Sequence, residues 1–576
     1  MARPTLICFI AAALLGGLTP TAVQAQLASF EPVTDAELLD PDPADWLNWR
    51  RTIDGQGYSP LDQINRDNVG SLQLAWSWET YAGTSQITPL VHDGVMFIPS
   101  RSGVAALDAT NGDVLWTHLR TGRPAQSDPN VSVSQQPGLA RRNLAIYGDK
   151  LYAGTSEAQL IALDVRTGEV VWERQVADHD LGYQYTSGPI IVKGMVVAGM
   201  TGCEYYKNDV CFISAHDPET GAELWRTSTV ARPGEPGGDT WGDLTLTFRA
   251  GADAWLPGSY DADTDLIYWS TAQPKPWASA QRGTEGAALY TNSTLALDPE
   301  TGAIEWYYQH IPAETHDLDE VFEVVLVNRD DGPALFKMGK IGVLWELDPR
   351  TGEYRAAHDL GFQNIVDIDA ESGQGILRRE RIPQLNVALD YCPGPGGVRS
   401  LWSMAYHPGT EAFYISLMPG CAHSTFEPMP EPAEIGGGGV GPADRRFTAH
   451  PQSPEHLGIF AAMSSRTGEL LWTRPSKLQY ATSSLTTGGG LVFVGNLDRN
   501  FYAMDIRTGD VVWSTRAPTS IDGFPITYAV DGRQYVAVPS GPGWFLAWRN
   551  AELVFDDVQR PRTRGSVMHV FALPEH

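Results

Sequence analysis

Apolar residues in this chain fall into short runs broken by polar turns, and one arrangement keeps returning. An apolar run ends in aspartate, a turn of the form x-x-Thr-Gly follows, and a second run carries a tryptophan. Copies led by alanine stand at Ala162–Trp172, Ala215–Trp225, Ala296–Trp306 and Ala503–Trp513. Variants stand at Ala106–Trp116 with Asn111 for Thr, at Ala462–Trp472 with Ser464 for Asp, and at Glu346–Ala356 with no Trp. Each copy reads as strand, tight turn and strand, with a glycine free to take positive φ. The copies start 56, 53, 81, 50, 116 and 41 residues apart. Such periods, with one signature turn per unit, predict an all-β fold: an eight-bladed β-propeller of four-stranded antiparallel blades. Seven motifs supply seven blades, and a weaker hairpin signal at Tyr406–Thr410, inside the 116-residue interval, supplies the eighth.

The repeats span nearly all of the 576 residues, which favours one large domain over residues 26–576. The aspartates of the repeat, among them Asp108, Asp164, Asp217, Asp298, Asp348 and Asp505, are turn formers. Residues 1–25 read as a secretory signal: Arg3, the apolar Leu6–Leu18, and a small-residue cleavage site ending at Ala25. Export to the periplasm is the expectation, with no membrane insertion of the mature chain. Cys8 leaves with that signal. The four remaining cysteines, Cys203, Cys211, Cys392 and Cys421, suit two disulfides, of which sequence allows three pairings. Cys203–Cys211 with Cys392–Cys421 is the simplest. No Cys-x-x-Cys-His occurs, so no haem is attached covalently in the c-type manner.

The net charge of −28 argues against nucleic acid and anionic lipid as partners. Gly234–Asp253 reads as an extended connection. Glu427–Arg446, with four consecutive glycines at Gly436–Gly439, reads as a flexible surface insertion without strand.

Asp45-Trp46-Leu47-Asn48-Trp49-Arg50 together with Tyr58-Ser59-Pro60-Leu61-Asp62-Gln63-Ile64-Asn65 closely resembles the opening of the quinoprotein alcohol dehydrogenases. These are exported propellers that hold pyrroloquinoline quinone (PQQ) and a metal ion, Ca²⁺ or a lanthanide, in a central funnel. The resemblance runs from about Trp46 to Ala572 and rests on landmarks in family order. Gly199–Tyr205 looks like the glycine-rich segment ending in the metal-ligating Glu204, which brings Thr201, Gly202 and Cys203 beside the cofactor. Thr186 falls where the family hydrogen-bonds the quinone, and Arg142 where an arginine pairs with a PQQ carboxylate. Trp255 looks like the tryptophan under the planar cofactor, a role that needs a rigid aromatic face. In Ser270–Trp277, Gln273 stands where an asparagine usually ligates the metal. In His316-Asp317-Leu318-Asp319, Asp317 matches the catalytic aspartate, also at the metal, and Asp319 a carboxylate of the lanthanide-dependent members. Lys340 matches the basic residue beside the quinone oxygens, and Trp544 the closing aromatic.

Departures bear on substrate. Gln136-Pro137 replaces the adjacent cysteine pair that caps the cofactor in methanol dehydrogenase. Gln86 replaces a glutamate near a cofactor carboxylate, and Ser400 an asparagine bordering the quinone. The resemblance therefore implies an alcohol larger than methanol as substrate. Asp317 would be the general base, Lys340 an electrostatic aid, and Glu204, Gln273, Asp317 and Asp319 the oxygen ligands of a hard cation. Electrons would pass to a separate cytochrome c. Two alternatives are a sugar or polyol dehydrogenase of the same cofactor class and a non-catalytic propeller scaffold. Scaffolds of the outer-membrane lipoprotein type need a lipobox cysteine, and Gln26 follows Ala25 here.

Overall fold

A computed structural model describes residues 27, 29–80, 86–100, 102–120, 142–429, 434–562 and 565–575. The signal-like residues 1–25 and the Gln136-Pro137 pair lie outside them. The described residues form eight sheets of four or more strands. Within most of them, consecutive strands pair antiparallel, as in Leu90–His92, Val95–Ser100, Gly103–Asp108 and Val114–Leu119. No helix among the described residues is long and apolar enough to cross a membrane.

The repeated motif builds the outer half of seven of these sheets. In Ala162–Trp172, Asp164 ends the strand Gln159–Asp164, and its Oδ1 accepts from the Arg166 and Thr167 amides, both at 2.9 Å, and from the Thr167 hydroxyl. Gly168 takes φ 71° and donates to the Asp164 carbonyl at 2.8 Å. That geometry suits glycine, which has no Cβ to clash.

The tryptophan then ties one sheet to the next. Trp76, Trp116, Trp172, Trp225, Trp306 and Trp472 each donate their indole N–H to a carbonyl in the following sheet, at 2.8–3.1 Å. The acceptors Ala109, Val165, Pro218, Pro299, Pro349 and Ile506 each follow the motif aspartate. Each ring lies on the motif glycine of its neighbour, so a Cβ on Gly509 would stand 2.6 Å from the Trp472 ring. Outer strands such as Val170–Gln175 expose nearly everything except this tryptophan, whereas inner strands such as Val95–Ser100 are buried throughout. Burial of the indole with its N–H satisfied makes it the seam between sheets. The copy without Trp has Ala356 in that place, and His358 meets Gly468 instead.

Two sequence expectations need correction. The Tyr406–Thr410 hairpin does not start a unit of its own. It joins Ala405–His407 to Ala412–Leu417, which pairs with Gly458–Ser464 of the next motif, so hairpin and motif share one sheet. The interval before that motif also carries a three-stranded sheet, Ala388–Tyr391, Gly420–Thr425 and Asp444–Ala449. Asp444–Arg446 is therefore strand rather than loop, because alternation of exposed and half-buried positions lets it pair with Gly420–Thr425. The remaining sheet joins the two ends of the chain: Gln73–Thr80 pairs antiparallel with Ser566–Ala572, and Trp78 stands opposite Met568. No motif marks this sheet, since half of its information lies at each end of the sequence. Cys203–Cys211 and Cys392–Cys421 are the disulfides formed.

Candidate active site

Loops from several sheets converge on a cavity of about 800 Å³. Gln86, Arg142, Thr186, Thr201, Gly202, Glu204, Trp255, Asp317, Asp319, Lys340, Ser400 and Trp544 all line it, although they are scattered over more than 450 residues of sequence. Cys203 sits just behind the wall in its disulfide, with its amide donating to Asp253 Oδ1 at 3.0 Å.

The aspartate pair is held by a loop pinned at both flanks. His310 bonds Thr294 Oγ1 at 2.9 Å and stacks edge-on to Trp345. His316 bonds the Arg381 carbonyl at 2.6 Å, and burial pushes its imidazole down to about 4, so it is neutral and structural. Asn292 holds the Leu318 carbonyl at 2.9 Å. Asp317 takes φ 70°, a left-handed conformation that costs a non-glycine residue roughly 1–2 kcal/mol. Strain of this kind persists only where surrounding contacts over-determine it.

Lys340 sits between the two carboxylates: its Nζ is 2.7 Å from Asp319 Oδ2, 3.4 Å from Asp317 Oδ2 and 2.9 Å from the Asp317 carbonyl. Burial raises the Asp317 carboxyl above its ordinary range, with Lys340 and Lys275 opposing. Burial also raises Glu204, which lines the cavity.

Gln273 is not on the cavity wall. It is fully buried, its Nε2 donates to Asp317 Oδ1, and its Oε1 has no partner. Lys275, two residues on, takes the wall position. Its Nζ lies 3.4 Å from Asp317 Oδ1 and 3.9 Å from Glu204 Oε2. Sequence reading passed over Lys275 although it lies within the Ser270–Trp277 landmark. It also missed Asp253, two residues before Trp255, whose buried carboxyl is raised and which lines the same cavity.

Arg142 is the complementary charge at the other wall. Its guanidinium lies 5.0 Å from the Trp255 ring and donates to the Thr186 carbonyl at 3.1 Å. Burial lowers it to about 10, and its Nε is unpartnered. Thr186 Oγ1 is likewise buried without a partner. Trp255 is braced edge-on by Phe322 at 5.3 Å, and Trp544 by Trp402 at 5.6 Å. A guanidinium with no carboxylate in ion-pair contact among the described residues, an orphaned hydroxyl and a braced indole fit a flat, polyanionic cofactor. Three carboxylates and an orphaned amide oxygen fit a hard cation beside it.

Comparison with known proteins agrees with this geometry. The family model "Glucose/ethanol/alcohol dehydrogenase, beta-propeller domain", of the PQQ class, matches residues 46–354 and 455–536. The chain is 31% identical to the quinoprotein alcohol dehydrogenase PedH of Pseudomonas putida, over 95% of this chain and 94% of that one. It is 29% identical to a quinoprotein ethanol dehydrogenase of Pseudomonas aeruginosa, over 99% and 96%. Among solved structures, a europium-containing methanol dehydrogenase superposes with a TM-score of 0.81 at 27% identity, covering 94% of this chain and all of that one. This chain therefore belongs to the PQQ-dependent alcohol dehydrogenases, enzymes that work with PQQ and a Ca²⁺ or lanthanide ion on a β-propeller.

Proposed function

We propose that the chain oxidises an alcohol larger than methanol to an aldehyde or ketone, with Asp317 as the base. The observation that carries this reading is the convergence of Glu204, Asp317, Asp319 and Lys340 on one cavity beside Trp255. PQQ, when bound, supplies the two-electron acceptor for the carbinol hydride, and the cation supplies Lewis acidity.

Glu204, Asp317, Asp319 and Gln273 Oε1 would hold the cation. An additional carboxylate, Asp319, favours a trivalent ion over Ca²⁺. Arg142 and Lys340 would face the cofactor's oxygens, Thr186 would donate its free hydroxyl, and Trp255 would give the flat face. Gln86, Thr201, Gly202, Cys203, Ser400 and Trp544 would border it. Asp317 takes the alcohol proton at a carboxylate oxygen. Lys340 favours the ionised form of that carboxylate against the burial that raises it, and its charge stabilises negative oxygen developing beside it.

Electrons would then leave singly to a separate cytochrome c, and residues 1–25 would direct the enzyme to the periplasm. The decisive experiment is dye-linked alcohol oxidation by the purified chain given PQQ, with Ca²⁺ and La³⁺ in parallel. Turnover with either ion is the expected result; no turnover and no retained PQQ absorbance would send the reading back to a binding scaffold.

A further inference from the structure

The cavity is sorted by charge from bottom to mouth. Its lining carboxylates, Glu204, Asp253, Asp317 and Asp319, all lie in the inner part around Lys275 and Lys340. The outer lining carries Arg445, Arg446 and Arg549 and, among the described residues, no carboxylate. In a chain with 69 acidic and 41 basic residues, this opening has the opposite sign to the whole.

Two elements build the rim. The strand Asp444–Ala449 brings Arg445, and the helix Phe545–Val554, which packs on that strand, brings Arg549. The Arg445 guanidinium lies 5.8 Å from the Trp277 ring and has no carboxylate partner among the described residues. Arg549 has no ion-pair partner there either, whereas Arg446 reaches Asp444 at 3.4 Å. Exposed Phe545 and Leu553 on the same helix give the rim an apolar surface. Trp277 spans the interval inward: Lys275 Nζ is 5.0 Å from its ring and 3.4 Å from Asp317 Oδ1. From the base outward the order is thus carboxylate, aromatic wall, unshared guanidinium.

An unshared arginine at the mouth of a low-dielectric funnel attracts anions and holds a carboxylate by paired N–H donors. We infer that the enzyme selects alcohols that carry a carboxylate at the far end of an apolar spacer, such as aryl or alkyl hydroxy acids. The inference rests on the alcohol-oxidising reading. The reaction itself is unchanged: the carbinol loses hydride and proton, and the distal anion stays intact.

The test compares matched pairs: 4-(hydroxymethyl)benzoate with benzyl alcohol, and 6-hydroxyhexanoate with 1-hexanol. Wild-type enzyme should favour the anionic member in kcat/KM by about tenfold or more at low salt, through KM, with the preference shrinking as NaCl is added. In Arg445→Gln/Arg549→Gln the ratio should fall toward one, and Arg445→Lys should restore part of it. Calorimetric binding of 4-methylbenzoate, which has no carbinol, should weaken in the same double variant. Equal or better use of the neutral partners by wild type overturns this inference and leaves the dehydrogenase reading standing. An unmoved ratio in the double variant does the same. Absence of turnover with every alcohol overturns both.

Discussion

The Lys275 ammonium lies 3.4 Å from Asp317 Oδ1 and 3.9 Å from Glu204 Oε2, so it shares two carboxylates with the proposed metal position. Burial works against its charge, but Asp317, Glu204 and Asp319 outweigh it and raise the pKa. The ammonium must therefore be displaced or repelled when a second cation enters. Lys275→Ala is expected to tighten La³⁺ and Tb³⁺ binding by about tenfold or more, as removal of a like charge at short range does. Luminescence of Tb³⁺ excited through Trp277 reads this without turnover. An unchanged dissociation constant would show that the lysine swings clear.

Asp317→Asn should lower dye-linked turnover by about 10²–10⁴-fold, the range for losing a general base. PQQ retention, read by absorbance, should survive if the loss is chemical.

A pH titration tests the same carboxyl. In the protein free of metal and cofactor, burial raises the Asp317 carboxyl, so its titration, read as the carboxyl infrared band absent from Asp317→Asn, should have a midpoint above the ordinary carboxylate range. Lys340→Met removes a cation that favours the ionised form. Its midpoint should move to still higher pH, and a midpoint moving downward would exclude Asp317 as the titrating group.

Asp522 gives a stability prediction. Burial pushes its carboxyl up to about 7, against the opposing pull of Trp402 and Arg142. Between its ordinary value of 3.8 and about 7, the folded chain holds a proton that the unfolded chain releases. Stability of the cofactor-free protein should therefore fall as pH rises across that window. Asp522→Asn should flatten the slope, read as urea midpoints at pH 5.5, 6.5 and 7.5.

Gly509→Ala tests the seam. The new methyl would meet the Trp472 ring at 2.6 Å, with φ at 73°. Overpacking together with a strained backbone should cost about 2–4 kcal/mol. Calorimetry should show a lower melting temperature, and Trp472→Ala should fall in the same range through the lost indole contact.

The repeated motif was readable because its reasons are local. An aspartate that caps its own turn and a glycine at positive φ act within a few residues, so they recur wherever that turn does. The Trp-to-carbonyl bond crosses between sheets but keeps a constant place in the motif, and it too leaves a periodic signature. The site was readable only by resemblance: Glu204, Asp317 and Lys340 are ordinary charges until the fold brings them together. Lys275 and the rim arginines had no signal, because a lysine between two prolines says nothing about which carboxylates it will face.

The chain by itself therefore determined the repeating strand–turn–strand unit, the cysteine inventory and the strongly acidic balance. Tertiary structure decided that the Tyr406–Thr410 hairpin shares a sheet with the motif at Ala462, that Gln73–Thr80 pairs with Ser566–Ala572, and that Lys275 rather than Gln273 lines the cavity. These outcomes depend on pairings and on charge separations of a few ångströms between residues tens to hundreds of positions apart. Neither hydrophobic period nor turn chemistry encodes such distances.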